Sequence, residues 1–298
     1  MSGKLAAVVV AAGASALGAY LYYLRMSSIE PPEPVAAEPA EPVAAKPAEA
    51  AAAKLATPPQ DADAAAVVEA LLAVKDRIEA VKQPVSTVAP TLVAVSKTKP
   101  VPLLAAVYTA GQRDFGENYV QEVVEKAPML PADIRWHFIG HLQSNKVKDI
   151  VSIPNLHCVH TVHSAKLATE LQKRCAQLRP GRPLEVMVQV NTSSEASKSG
   201  CDPAAAADLC AQVVVSCPLL RLRGLMCIGK YSASEGSAAE DFEVLKQCRE
   251  RAAKALSLDV ATLALSMGMS HDFEAALAVG ATHVRVGSVI FGARAKKA

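Results

Sequence analysis

An alternation runs through residues 92–286 and limits the fold more than any other property of the chain. Short strand-like segments stand at 92–95, 113–115, 135–139, 156–162, 184–190, 223–228, 263–267 and 283–286, and the most apolar of them, such as 92–95, read as buried strands. Helical spacing recurs between them at 102–109, 119–126, 145–151, 164–178, 203–215, 238–256 and 271–279. Apolar runs of this kind belong to strands covered on both faces, as in parallel sheets wrapped by helices. Eight strands with seven intervening helices predict an α/β fold, a closed (β/α)8 TIM barrel in a single domain. A doubly wound open sheet is the competing arrangement, but it normally uses fewer strands, and no GxGxxG follows the first strand. Ahead of the barrel, Val67, Val68, Leu71, Leu72, Val74, Ile78 and Val81 recur at three-to-four-residue spacing, and Pro84 ends that amphipathic helix.

The first sixty residues are of another kind. Residues 5–24 carry no charge, and as a helix they would cover about 30 Å, the thickness of a bilayer's hydrocarbon core. Residues 1–26 are therefore expected to be an apolar signal-anchor or targeting segment. Residues 27–60, rich in Pro, Ala and Glu, are expected to be a disordered linker, and residues 61–298 the folded domain. The matching localisation is membrane-anchored, with the barrel facing the cytosol or an organelle interior. Cleavage and residence in a mitochondrion or plastid, or a cytoplasmic location, are the alternatives. A net charge of +2 and 4% aromatic residues give no surface for nucleic acid. Seven cysteines without a CxxC pair fit reduced thiols better than a disulfide framework.

Polar residues gather just past the strand ends: Ser96-Lys97-Thr98, Gly116-Glu117-Asn118, Gly140-His141, His163-Ser164 (where Ser164 reads most simply as a helix cap), Asn191-Thr192-Ser193, Gly229-Lys230, Ser266 to Ser270, and Gly287-Ser288. In a barrel these positions line one mouth, the end where such folds place their chemistry. Lys97 follows the first strand, and burial there would favour its neutral, nucleophilic amine. Ser270 and the Gly287-Ser288 loop follow the last two strands, where backbone N–H groups can meet a phosphate. Ser270 could equally cap the helix that follows it. A lysine facing a phosphate seat suggests an aldehyde-bearing phosphate, pyridoxal 5'-phosphate, held as a Schiff base on Lys97 with its phosphate on Ser270, Gly287 and Ser288. Lys99 points the other way in an extended chain. His137, His141, His157, His160 and His163 lack an HExxH or a carboxylate partner, and spacing by three puts neighbours of 157, 160 and 163 on opposite faces, so no metal site is expected. No GxSxG elbow or GxxxxGK[ST] loop is present.

Long stretches also resemble the pyridoxal phosphate homeostasis protein family, whose fold is similar to the barrel domain of alanine racemase. They are LVAVSKTKP (92–100), DFGENYVQE (114–122), WHFIGHLQSNK (136–146), VHTVHS (159–164), VQVNTSSEASKSG (188–200), GLMCIG (224–229), LSMGMSHDFEAAL (265–277) and VRVGSVIFGAR (284–294). The resemblance implies that Lys97 is the Schiff-base lysine, that Asn118 lies near the ring and Met267 packs beside it, and that Arg285 meets the pyridine nitrogen. It assigns the phosphate to Ser270, Gly287 and Ser288, and lines the mouth with Gly140, His141 and Asn191. It further implies a monomeric barrel that carries or regulates the cofactor with little or no turnover, with apo-enzymes of that cofactor as partners. A racemase-like enzyme and a membrane-tethered scaffold with a vestigial site are the alternatives. The racemase reading lacks the β-rich domain that would supply a second base.

Overall fold

The computed structural model describes residues 62–81, 89–193, 195, 198–229 and 237–293. Eight parallel strands close in sequence order: β1 (Thr91–Val95), β2 (Asp114–Glu117), β3 (Arg135–Phe138), β4 (Leu156–Val162), β5 (Leu184–Val190), β6 (Leu220–Cys227), β7 (Ala264–Ser266) and β8 (His283–Val286). The last strand returns to the first, with Thr91 opposite His283 and Ala94 opposite Val286. The expected (β/α)8 barrel is the observed fold. Its outer layer is α1 (Ala62–Ala80), α2 (Val101–Thr109), α3 (Val120–Lys126), α4 (Val147–Val151), α5 (Ala165–Leu178), α6 (Ala206–Ser216), α7 (Ser237–Leu256), α8 (Phe273–Val279) and α9 (Ser288–Phe291).

Strand period two divides the apolar residues between two cores. Leu92 and Ala94 of β1 join the principal core under the helices, while Cys158, Met187, Met226 and Ala264 form a small separate cluster. Six of the seven cysteines are buried in these two cores, packing as small apolar side chains. In α1, Val67, Leu71, Val74 and Ile78 are buried at four-, three- and four-residue steps. That face lies against α2 and α9. The helix thus covers the seam where β8 meets β1, which the single turn of α9 leaves short.

Several boundaries differ from the sequence reading by one to three residues, and three of them have a visible cause. β2 runs on to Glu117, because its carboxylate is buried with a lysine from α3. β6 starts at Leu220, since Arg221 and Arg223 reach toward Glu185 on β5, at 3.9 and 3.8 Å, and keep the ladder going. α8 begins at Phe273 with Asp272 in the cap position, after a turn in which Met269 N donates to Asp272 Oδ1 at 2.5 Å. Ser270 therefore does not cap that helix, whereas Ser164 caps α5 as its position suggests, accepting from Leu167 N at 3.3 Å.

The membrane expectation is corrected. Among the described residues no helix is long and apolar enough to cross a membrane. Residues 5–24, on which the anchor rested, lie outside the described residues, as does the linker at 27–60. Neither the transmembrane helix nor a membrane-anchored localisation is retained.

Candidate functional site

Lys97 follows β1 in a turn, half-buried, and Thr98 beside it takes φ 62°. A threonine in the left-handed region stores strain of about 1–3 kcal/mol that its surroundings must hold. Both neighbours of the lysine are tied to one buried cluster. Ser96 Oγ donates to Glu117 Oε1 at 2.7 Å, and Thr98 N donates to Glu122 Oε2 at 2.8 Å. Lys126 Nζ of α3 donates to Ser96 O at 2.9 Å, to Glu117 Oε1 at 2.7 Å and to Glu122 Oε2 at 2.5 Å. Burial pushes the Glu117 carboxyl up to about 7, against the pull of Lys126 and of the Ser96 hydroxyl. Sequence reading missed this clamp, although Glu117 and Glu122 stand in the DFGENYVQE stretch. Lys99 turns away and donates to Ala293 O at 2.9 Å.

The predicted phosphate residues come together through one hydrogen bond, Gly287 N donating to Ser270 Oγ at 3.1 Å, which joins the loops after β7 and β8. A Cβ on Gly287 would sit 3.2 Å from both Val95 Cβ and Val95 O, so this loop presses on the end of β1 just before Lys97. Ser288 opens α9 and is exposed. Asn118 follows β2, and its Oδ1 is buried with no partner among the described residues. Gly140, after β3, approaches so closely that a Cβ there would lie 1.9 Å from Asn118 O. Met267 is fully buried in the principal core under the helices, while Ser266 before it bonds inside the barrel. His141 stacks on His163 at 4.8 Å and its Nδ1 meets Ser199 Oγ at 2.9 Å. Asn191 Nδ2 donates to Glu195 O at 3.0 Å, within the same loop after β5.

Arg285 lies in β8, buried, opposite Val93 of β1. Its Nη1 donates to Ser266 Oγ at 2.8 Å and its Nη2 to Cys227 O at 2.9 Å. Ser266 Oγ also meets His160 Nδ1 at 3.0 Å, His160 Nε2 meets His137 Nδ1 at 2.9 Å, and His137 Nε2 meets Asp114 Oδ1 at 2.9 Å. Burial alone would raise Asp114, but hydrogen bonds from Arg135 and His137 outweigh it and hold the carboxyl well below the usual range. Burial pushes His160 well below the ordinary imidazole value and lowers His283 to about 3. The expectation that these histidines lack a carboxylate is thus corrected by Asp114, which lies 23 residues from His137 in sequence. His157 and His160 also both stand against His137, with centroids at 5.2 and 5.1 Å. The register of β4 shifts opposite Trp136 and His137, and an extra residue there undoes the strict alternation.

Lys97, Asn118, Ser270, Gly287 and Ser288 thus gather at the carboxyl ends of four consecutive strands, β7, β8, β1 and β2, with Arg285 inside β8. Residues 70–295 match the family described as alanine racemase, N-terminal domain, which sets the class of this barrel. The alanine racemase of Corynebacterium glutamicum shares the fold at 12% identity and TM-score 0.61, over 77% of this chain and 62% of that one. The pyridoxal phosphate homeostasis protein of Bos taurus is 44% identical over 236 residues, covering 76% of this chain and 86% of its own. PipY of Synechococcus elongatus PCC7942, solved with PLP bound, matches at 35% identity and TM-score 0.60, over 76% of this chain and all of that one (100%). The chain belongs to the pyridoxal phosphate homeostasis protein family.

Proposed function

We propose that the mouth of this barrel binds pyridoxal 5'-phosphate and that the protein serves the cell's homeostasis of that cofactor, with little or no turnover. What supports the reading is one juxtaposition: the clamped turn bearing Lys97, the Ser270–Gly287 hydrogen bond and Arg285 lie on three consecutive strands. The donor set suits the group. Lys97 offers an amine, Ser270 and Ser288 offer hydroxyls, and the close approach of Gly287 to Val95 leaves backbone rather than a side chain facing the loop. The buried Asn118 Oδ1, without a partner among the described residues, is an acceptor that a ring hydroxyl would satisfy. When bound, the cofactor supplies an aldehyde that an amine can hold and a ring that withdraws electrons.

In this reading Lys97 holds the aldehyde carbon, Asn118 faces the ring, and Ser270, Gly287 and Ser288 take the phosphate. Arg285 meets the ring nitrogen, and Met267 backs the wall behind Ser266. An arginine is a poor proton donor to a pyridine, so the ring stays a weak electron sink and turnover stays low. Titrating the full-length protein with pyridoxal phosphate should raise a visible absorption band. Borohydride should then fix the cofactor to the chain, and peptide mapping should find it on Lys97. An adduct mapped to Lys99 overturns the lysine assignment. Sustained racemisation of alanine by the loaded protein would replace the homeostasis reading with the racemase-like one.

A further inference from the structure

We infer that Asp114, His137, His160 and Ser266 form a one-way hydrogen-bond relay that fixes the guanidinium of Arg285 from inside the barrel. The inference rests on the reading of Arg285 as the partner of the cofactor's ring nitrogen. The chemistry of the two ends sets the order of donors. An arginine has only hydrogens to give, so Arg285 Nη1 donates to Ser266 Oγ at 2.8 Å. Ionised Asp114 can only accept, so His137 Nε2 carries the hydrogen across their 2.9 Å contact. In a neutral ring His137 Nδ1 is then the lone-pair atom, and His160 Nε2 donates to it at 2.9 Å. His160 Nδ1 is left as an acceptor, and the Ser266 hydroxyl donates to it at 3.0 Å. Every hydrogen points from the mouth toward Asp114, and none is duplicated or missing.

Burial agrees with this order. Asp114, His137, His160, Ser266 and Arg285 are all buried, and burial keeps His160 neutral. Two fixed acceptors, Ser266 Oγ and Cys227 O, orient a planar fork that one would leave free to turn. The relay members are positioning residues, acting on the site through Arg285. A metal is the competing occupant, because ligand atoms of His137, Cys158 and His160 lie within 4.8 Å of one another. Two nitrogens on one tetrahedral zinc stand about 3.3 Å apart when each bond is about 2.0–2.1 Å. The 2.9 Å separation of His137 Nδ1 and His160 Nε2 fits a direct hydrogen bond instead.

The test uses the full-length protein labelled with 15N-histidine. Long-range nitrogen–proton correlation should find both rings neutral with the hydrogen on Nε2. A hydrogen on Nδ1 of either ring, or stoichiometric zinc whose chelation changes these signals, overturns the relay. In parallel, Ser266→Ala should weaken pyridoxal phosphate binding about tenfold, the loss of one charge-assisted hydrogen bond, and shift the visible band. Ser266→Thr should restore both affinity and band, and Asp114→Asn, at the far end, should shift the band with a smaller loss. Variants that lower the melting temperature but keep the wild-type affinity and band reduce the relay to packing and overturn it. Failure of the wild-type protein to bind the cofactor sinks the functional reading instead, while the ring signals still decide whether the relay exists.

Discussion

Glu117 carries the most testable electrostatics at the scale of single residues. Its carboxyl has no exposed surface, and burial lifts it to about 7 from an ordinary 4.5 although Lys126 lies 2.7 Å away. Because the folded value is the higher one, the folded chain binds this proton more tightly than the unfolded chain. The stability linked to it is full below 4.5 and falls as pH rises toward about 7. Glu117→Gln removes that slope while leaving Lys126 its contacts with Glu122 and Ser96 O. Urea unfolding at about pH 5 and about pH 8 should therefore favour the variant over wild type more at the higher pH. An unchanged difference between the two pH values would refute the assignment. Glu122→Gln tests the other half of the clamp: with the Thr98 tether weakened, cofactor affinity should fall about three- to tenfold, read by titration of the visible band. The place of Lys97 just past β1 was legible in sequence because the apolar run 92–95 stops at Ser96. The clamp was not, because Glu117 sits after a glycine and reads as a loop residue until its partner on α3 is known.

At the scale of elements, legibility followed hydrophobicity. β4, β5 and β8 were read with their observed limits: apolar residues bound β4 and β5 at both ends and fill most of β5, while Val284 and Val286 alternate with His283 and Arg285 in β8. The first turn of β6 was missed because Arg221 and Arg223 alternate with leucines, and only Glu185 on the neighbouring strand explains them. The histidine relay was illegible for a related reason. His160 and Ser266 are 106 residues apart, and no local pattern reports a contact that barrel closure creates. Gly140 shows how tightly adjacent strand ends are fitted. A Cβ there would lie 1.9 Å from Asn118 O, a backbone atom that cannot swing aside. Gly140→Ala should therefore displace the Asn118 loop, cost about 1–3 kcal/mol in thermal unfolding, and weaken the cofactor more than a distant substitution of equal cost. Unchanged affinity with a lowered melting temperature would separate Asn118 from the site.

For the whole molecule, the question is what closes the helical layer. α9 is a single turn, and α1, contributed from the other end of the folded region, lies over the β8–β1 seam where the proposed site is built. Its buried Val67, Leu71, Val74 and Ile78 each remove apolar surface worth about 1.5–3 kcal/mol, before the entropy of ordering the helix is set against it. Arg77 ties the same helix to α8, pairing with Glu274 at 2.6 Å and lying 4.6 Å over the Phe273 ring. That pair is half-exposed and contributes little, so the apolar face carries the attachment. We therefore propose residues 61–298 as the folding unit, with α1 an integral part of it. A protein beginning at Asp61 should melt as the full-length chain does and gain about 2.7 kcal/mol of stability with the cofactor at about a hundred times its Kd. A protein beginning at Pro90 should expose the seam, aggregate or melt well below the longer form, and lose the visible band with pyridoxal phosphate. Calorimetry with and without cofactor on the two lengths decides it. If the shorter protein keeps both its melting temperature and its band, α1 is an appendage, and the barrel closes without it.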